Sequence, residues 1–398
     1  MLILVLNCGS SSVKYALYES DTKKVLAKGN EERIGLEGGS SVNHKESIKK
    51  ILHSLTAGDK KVIDNINEIK AVGHRVVHGG DKFNKSVLIT TEVLNTIKQV
   101  ASLAPLHNPP NIIGIESAME VLEGVPQIAV FDTAFHQTLP KHAYIYPVPY
   151  DWYENYGVRK YGFHGSSHLY VAKRAAKMLD IPNNKVNLIT LHIGNGVSFA
   201  AIRNGISIDT SMGLTPLEGA MMGTRSGDID PAIVGYMAEK LNCSCQDITN
   251  ILNKKSGHLG ITGKYTDRRD ILMGIQKGEE RSKLSLLMET YRIKKYIGAY
   301  MAVLGHVDAL VFTAGVGENN WFIREGSTEG LGNMGIILDN DKNGMIMASD
   351  GETDLSAPDS KVKILMIPTN EEAVLVEDVV AILEGRYDVH YKFHYSFE

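Results

Sequence analysis

Short apolar runs, each of strand length, alternate along this chain with helical periodicities, and that alternation confines it to an α/β architecture. LILVL, KYALY, IKAVGHRVV and QIAVF read as strands. TTEVLNTIKQVASLA and IIGIESAMEVL carry apolar residues three and four apart and read as helices. The stretch LPKHAYIYPVPYDWYENYG, rich in proline and tyrosine, interrupts the pattern and marks a domain boundary near residue 150. Alternation then resumes with a helix from about Ser167, strands in NLITLHIG, VSFAAIRNG, ALVFTAG and KILMIP, and a helix opening at Thr369-Asn370-Glu371-Glu372. A chain of 398 residues has room for two or three such domains.

LVLNCGSSSVKYALY can be laid against ITLHIGNGVSFAAIR, half a chain further on. Each is a strand, a polar turn with glycine and a returning strand. The pair is either the trace of a duplicated fold with a cleft between its halves or a chance likeness of two hairpins.

Several function classes fall away. A formal net charge of −4 leaves no broad basic field for nucleic acid. Three cysteines, Cys8, Cys243 and Cys245, do not make a disulfide framework, and a C-x-C pair without a second pair does not make a structural zinc site. Reduced thiols point to the cytoplasm. MLILVLN lacks the basic start and the length of a secretory signal. The apolar segment from Tyr296 to Val316 contains His306 and Asp308 and reads as a buried helix followed by a buried strand, not as a membrane span.

The familiar phosphate motifs are missing. A P-loop needs G-x-x-x-x-G-K-[ST]; around Gly263-Lys264 the first glycine position is His258 and the hydroxyl position is Tyr265. What remains are glycine turns after apolar strands, in NCGSSSVK, HIGNG and AGVGEN, where backbone N–H groups can approach an anion closely. Lys14 adds a cation to the first, and AGVGEN precedes a short helix. Turns of this kind also simply reverse a chain. Arg75, inside GHRVVHGG, is either an edge-strand arginine facing water or a buried one with a partner. Arg225, in MMGTRSGDIDP, either pairs locally with Asp228 or Asp230 or serves a ligand. His164 in YGFHGSSH precedes a helix that Ser166 or Ser167 can cap; with His168 it makes H-x-x-x-H, short of the H-E-x-x-H of a zinc hydrolase. Asp132 ends the strand QIAVFD, where a carboxylate serves either a cleft or a strand end.

NCGSSSVKY, GHRVVHGG, the HNP of LAPLHNPPN, FDTAFH, YGFHGSSH, HIGNG, TPLEGAMMGTRSGDIDP, FTAGVGEN and PTNEE, in this order, resemble the acetate kinase family. They run from residue 7 to residue 372, so the resemblance spans nearly the whole chain. It implies membership of the superfamily of sugar kinases, actin and heat-shock chaperones: two duplicated ribonuclease-H-like, actin-like ATPase domains with a central cleft. The first would take residues 1–150 plus 370–398 and the second residues 151–369, the second binding nucleotide and forming a homodimer.

The resemblance further implies reversible phosphoryl transfer from ATP to acetate, giving acetyl phosphate and ADP, with Mg²⁺ or Mn²⁺. Asn7 and Glu371 would serve the metal. Lys14, the turn His192, Ile193, Gly194, Asn195 and Gly196, the stretch Asp267, Arg268 and Arg269, and the stretch Gly315, Val316, Gly317, Glu318 and Asn319 would hold the nucleotide. Arg75 and Arg225 would bind acyl carboxylate or phosphate, His164 the phosphoryl group in flight, and Asp132 would be the active-site acid. His107 lies nearby, and Val77, Leu106, Phe163 and Pro216 match a small apolar pocket for the methyl group. Ser166 and Leu214 depart from the family pattern without removing a charged group. Rival readings are a propionate or butyrate kinase of the same family, an actin-like ATPase, and a zinc hydrolase using His164 and His168.

Overall fold

The computed structural model describes residues 1–39, 41–58 and 61–398. They divide into two compact units, Met1–Gln137 with Asn370–Phe397, and Thr138–Thr369 with Glu398.

In the first unit, strands β1 (Leu2–Gly9), β2 (Ser12–Glu19), β3 (Lys24–Glu32), β4 (Ile69–Val76), β5 (Val87–Leu88) and β6 (Gln127–Phe131) form one sheet in the order β3-β2-β1-β4-β6-β5. β1, β4 and β6 run parallel, and the other neighbours are antiparallel. The period of two along β1 sends Leu4 and Leu6 to one face, against Ile48, Ile51 and Leu55 of the helix His44–Thr56. It sends Ile3 and Val5 to the other, against Leu375 and Val379 of the helix Glu371–Leu383. With both faces covered, the central strands have no polar side, which is why they read as unbroken apolar runs. Gly73 lets the late helix approach β4: a Cβ there would lie 2.2 Å from Leu375 Cδ2. A helix from the far end of the chain thereby completes the first unit.

The second unit repeats the design. β7 (Leu188–Ile193), β8 (Val197–Arg203), β9 (Ile206–Thr210), β10 (Ala309–Thr313), β11 (Thr353–Asp354) and β12 (Lys363–Met366) are ordered β11-β12-β10-β7-β8-β9. Matching β7 to β1 and onward reproduces the first sheet strand for strand, including which neighbours are parallel. The two hairpins aligned in sequence are β1–β2 and β7–β8, so the fold is a duplicated one. Residues 138–150, grouped with the first domain from sequence, pack within the second unit. Thr138 Oγ1 donates to the Ser207 carbonyl at 2.8 Å, and the Lys160 amide donates to the Tyr144 carbonyl at 2.7 Å.

Candidate active site

Open α/β sheets present ligand sites at the carboxyl ends of their parallel strands, and the candidate residues of the first unit lie there. Arg75 comes near the end of β4 and Asp132 directly follows β6, its neighbour. β4 is paired on both sides, so Arg75 is not an edge residue. Its guanidinium donates from Nε to Asp132 Oδ1 and from Nη2 to Asp132 Oδ2, both at 2.8 Å, and Nη1 lies 3.5 Å from Glu371 Oε2. Burial opposes the charged guanidinium, but the Asp132 and Glu371 carboxylates outweigh it and raise its pKa. Burial raises the Asp132 carboxyl above its usual range while Arg75 pulls the other way. Both Asp132 oxygens accept from one arginine, the geometry of a carboxylate that orients a cation.

Asn7 and Lys14 are cross-strand partners in the β1–β2 hairpin, and Lys14 is exposed. Among the described residues no hydrogen bond engages the Asn7 side chain, and none brings three metal-ligating side chains together. Two hard oxygen donors, Asn7 and Glu371, fit a magnesium-type ion that keeps most of its own water and takes phosphate oxygens. They would not make a closed protein cage. Leu106 is exposed, Val77 is half-buried with its amide donating to Asn111 Oδ1, and the charge of His107 reaches Asp132.

In the second unit the turn between β7 and β8 is the centre. A Cβ placed on Gly196 would meet His164 Cε1 at 3.4 Å, His164 Nε2 at 3.5 Å and Arg225 Nη1 at 3.6 Å. The glycine thus keeps open a spot bordered by an imidazole and a guanidinium. His164 has left-handed backbone, φ 56°, at the N-cap of the helix Gly165–Met178. Its ring stacks on His192 with centroids 4.1 Å apart. Arg225 donates to the Pro216 carbonyl at 3.3 Å and, among the described residues, forms no ion pair. Asp228, the expected local partner, is taken by the Gly219 amide and the Tyr296 hydroxyl. Burial alone lowers the Arg225 pKa. A half-buried guanidinium without a counter-charge would be stabilised by an anion. Its loop is fixed on both sides of the arginine: Gly223 N donates to Asn195 O at 3.3 Å, and Ser226 N donates to Leu252 O at 3.0 Å. Phe163 is only 1% exposed, so its ring is packed inside this unit.

The other expected nucleotide residues are less uniform. AGVGEN is not a turn before a helix; it is the helix Ala314–Asn319, following β10. Glu318 faces inward, where its Oε1 accepts from the Thr369 amide at 2.9 Å, and Asn319 Nδ2 donates to Gly315 O. Asp267 caps the helix Arg268–Gln276 and pairs with exposed Arg269. Arg268 is turned away from solvent: its fork holds Glu289 in the helix Glu280–Leu304, with Nη2 to Oε1 at 2.7 Å, and His258 Nε2 lies 3.0 Å from Glu289 Oε2. That pairing makes Arg268 a structural residue in this arrangement. Both ring nitrogens of His168 face hydroxyls, of Thr190 and Ser198, which leaves no nitrogen for zinc.

Two participants escaped the sequence reading. Arg324, fully buried, donates to Gly317 O at 2.9 Å and Glu318 O at 2.8 Å and so fixes the helix Ala314–Asn319. Ser198 lies between two histidines. An arginine inside a helix and a serine inside a strand give no local signal of such roles.

Comparison with known proteins gives a consistent picture. Residues 2–377 match the acetokinase family. The acetate kinase of Geobacter metallireducens is 57% identical, the alignment covering 100% of this chain and 98% of that protein. That of Treponema pallidum is 49% identical over 100% of this chain and 93% of its own. Among solved structures, Porphyromonas gingivalis acetate kinase superposes with a TM-score of 0.92 at 45% identity, covering 96% of this chain and 99% of that one. A propionate kinase from Francisella tularensis gives 0.87 at 42% identity, covering 95% and 98%.

Proposed function

The chain belongs to the acetokinase family, and we propose that it is an acetate kinase, transferring the γ-phosphoryl group of ATP directly to acetate in a reversible reaction. The observation that carries this is Arg225: a guanidinium with no acidic partner among the described residues, set beside His164 at a glycine kept bare. An acceptor that is itself an anion adds a second negative charge for such a pair to neutralise.

Acetate is already an anion at neutral pH, so it needs no general base. The obstacle is its repulsion by the phosphate, and the task of the protein is to supply positive charge and alignment. Arg75, its fork fixed by Asp132, keeps further N–H groups for an anion. Arg225 neutralises charge that spreads over the moving phosphoryl group, and His164 donates to one of its equatorial oxygens. Asp132 acts as the orienter of Arg75. Lys14, the turn His192–Gly196 and the helix Ala314–Asn319 hold the phosphates and nucleotide, with Asp267 and Arg269 at the nucleoside. Asn7 and Glu371 would hold a Mg²⁺, which would supply positive charge to the phosphate oxygens. Val77 and Leu106 of the first unit and Phe163 and Pro216 of the second are the apolar residues assigned to the methyl group.

The helix Ala232–Leu241 has no buried residue although Ile233, Tyr236 and Leu241 lie on it, exposed; this supports a homodimer that covers them. Three free thiols support a reducing, cytoplasmic setting, and among the described residues no helix is long and apolar enough to cross a membrane.

Hydroxylamine trapping of acyl phosphate tests the reading. ATP with acetate should yield acetohydroxamate, at a higher kcat/KM than propionate or butyrate. ATP breakdown indifferent to any carboxylate would overturn it.

A further inference from the structure

His164 is the end of a chain of hydrogen bonds inside the second unit. Ser198 Oγ lies 2.8 Å from His164 Nδ1 and 2.8 Å from His168 Nε2, and His168 Nδ1 lies 2.7 Å from Thr190 Oγ1. Ser198, His168 and Thr190 are fully buried, out of reach of bulk solvent. We propose that Ser198, anchored through His168 by Thr190, is a positioning residue that holds His164 in the tautomer with its proton on Nε2. The use made of that tautomer rests on the phosphoryl-transfer reading; the tautomer itself does not.

The argument is a count of protons. Neutral imidazole has one N–H donor and one bare nitrogen acceptor, and a serine hydroxyl has one proton. Ser198 Oγ stands between two ring nitrogens, so it donates to one and accepts from the other. Two directions satisfy this. In the first, Thr190 Oγ1–H donates to His168 Nδ1, His168 Nε2–H donates to Ser198, and Ser198 donates to His164 Nδ1. The proton of His164 is then on Nε2. In the second, every donor reverses: His164 Nδ1–H to Ser198, Ser198 to His168 Nε2, and His168 Nδ1–H to Thr190. The Thr190 hydroxyl proton then has no acceptor among the described residues, because its only hydrogen-bond partner is the ring nitrogen that now donates to it. A buried donor without an acceptor bears the full cost of its desolvation. The first direction is therefore favoured, and Thr190 decides it from the far end of the chain.

The outcome suits what His164 faces. Its Nε2 and Arg225 Nη1 border the same open spot at Gly196. A proton held on Nε2 gives that spot two donors for an anionic oxygen. The opposite tautomer would aim a lone pair at the anion and repel it. Stacking on His192, at 16° between ring planes, restrains the imidazole from tilting out of this alignment.

The test uses the full chain labelled with ¹⁵N-histidine. Long-range proton–nitrogen correlation reads which ring nitrogen carries the proton, and a His164→Asn control identifies the His164 signals. The neutral ring should show its proton on Nε2. Ser198→Ala and Thr190→Val should each shift His164 toward a mixture of tautomers. They should lower kcat for acyl phosphate formation roughly 10-fold with both KM values within about 2-fold, while Thr190→Ser restores the pattern and the rate. A proton on Nδ1 in the unaltered protein overturns the proposal. So does an unchanged His164 pattern in Ser198→Ala and Thr190→Val, even if activity falls, because that loss would be merely structural. If the unaltered protein formed no acyl phosphate while His164 responded as stated, the function reading would fail and the positioning role of Ser198 would stand.

Discussion

Arg75 and Asp132 meet fork to fork, Nε to Oδ1 and Nη2 to Oδ2, each at 2.8 Å. Both carboxylate oxygens accept from one cation, and the orienting role proposed for Asp132 rests on that geometry. Asp132→Asn keeps the shape and loses one acceptor and the charge. Its kcat should fall on the order of 10²-fold through misplacement of Arg75. An acid–base role and an orienting role then part in the pH dependence. If Asp132 were a general base, the acid limb of the kcat profile would vanish in the variant. As an orienter it leaves that limb in place at a lower plateau. Rate profiles of the two proteins between pH 5 and 9 separate the cases.

Arg225 pairs with no acid among the described residues, and burial works against its charge. In the absence of an anion it is a cost to the fold. Arg225→Met should therefore hold or raise the melting temperature while kcat drops on the order of 10³-fold, the usual loss for a cation that meets transition-state charge. Calorimetry and steady-state kinetics on the same preparation check both halves. A strongly destabilised variant would mean that the arginine serves the fold, and near-normal turnover would remove it from the reaction.

Glu289 is fully buried between the Arg268 guanidinium and the His258 imidazole. Burial pushes its carboxyl up, but those neighbours outweigh burial and leave it at about 2. The unfolded value is ~4.3, so the folded pKa is depressed. The resulting stabilisation is complete above the unfolded value and is lost as pH falls from ~4.3 toward about 2. Glu289→Gln strands a buried arginine and should cost ~3–5 kcal/mol at neutral pH. The gap between the two proteins should narrow steadily below pH ~4.3. Urea midpoints across that range measure it, and a gap independent of pH would refute the assignment.

These residues also mark where the sequence could be read and where it could not. The central strands announced themselves because both faces of β1, β4, β7 and β10 are covered and their apolar runs are unbroken. The two hairpins alike in sequence are matching members of two sheets with one strand order. Arg75 stayed ambiguous because whether β4 is an edge depends on β6, about fifty residues further on. AGVGEN looked like a turn because glycine disfavours helices, yet it forms one held by Arg324, whose donors come from the following helix. Arg268 was grouped with its neighbours Asp267 and Arg269, and its true partner is Glu289, a helix away. In each case a contact from outside the element decided what its own local pattern left open.

Gly196 offers the sharpest separation of fold from function. Its backbone is not in the left-handed region, so alanine is tolerated there. The nearest atoms to the added methyl carbon, at 3.4 to 3.6 Å, are ring atoms of His164 and Nη1 of Arg225, ordinary contact distances rather than clashes. Gly196→Ala should therefore fold, with stability unchanged or raised by ~0.4–1 kcal/mol through the loss of unfolded-state freedom. The methyl would nonetheless sit where two donors border an open spot, and an anionic oxygen cannot share that place. Acyl phosphate formation should fall on the order of 10²-fold or more, with the loss shared by both directions of the reaction. A variant that melts normally and turns over normally would show that no phosphoryl oxygen passes between His164 and Arg225.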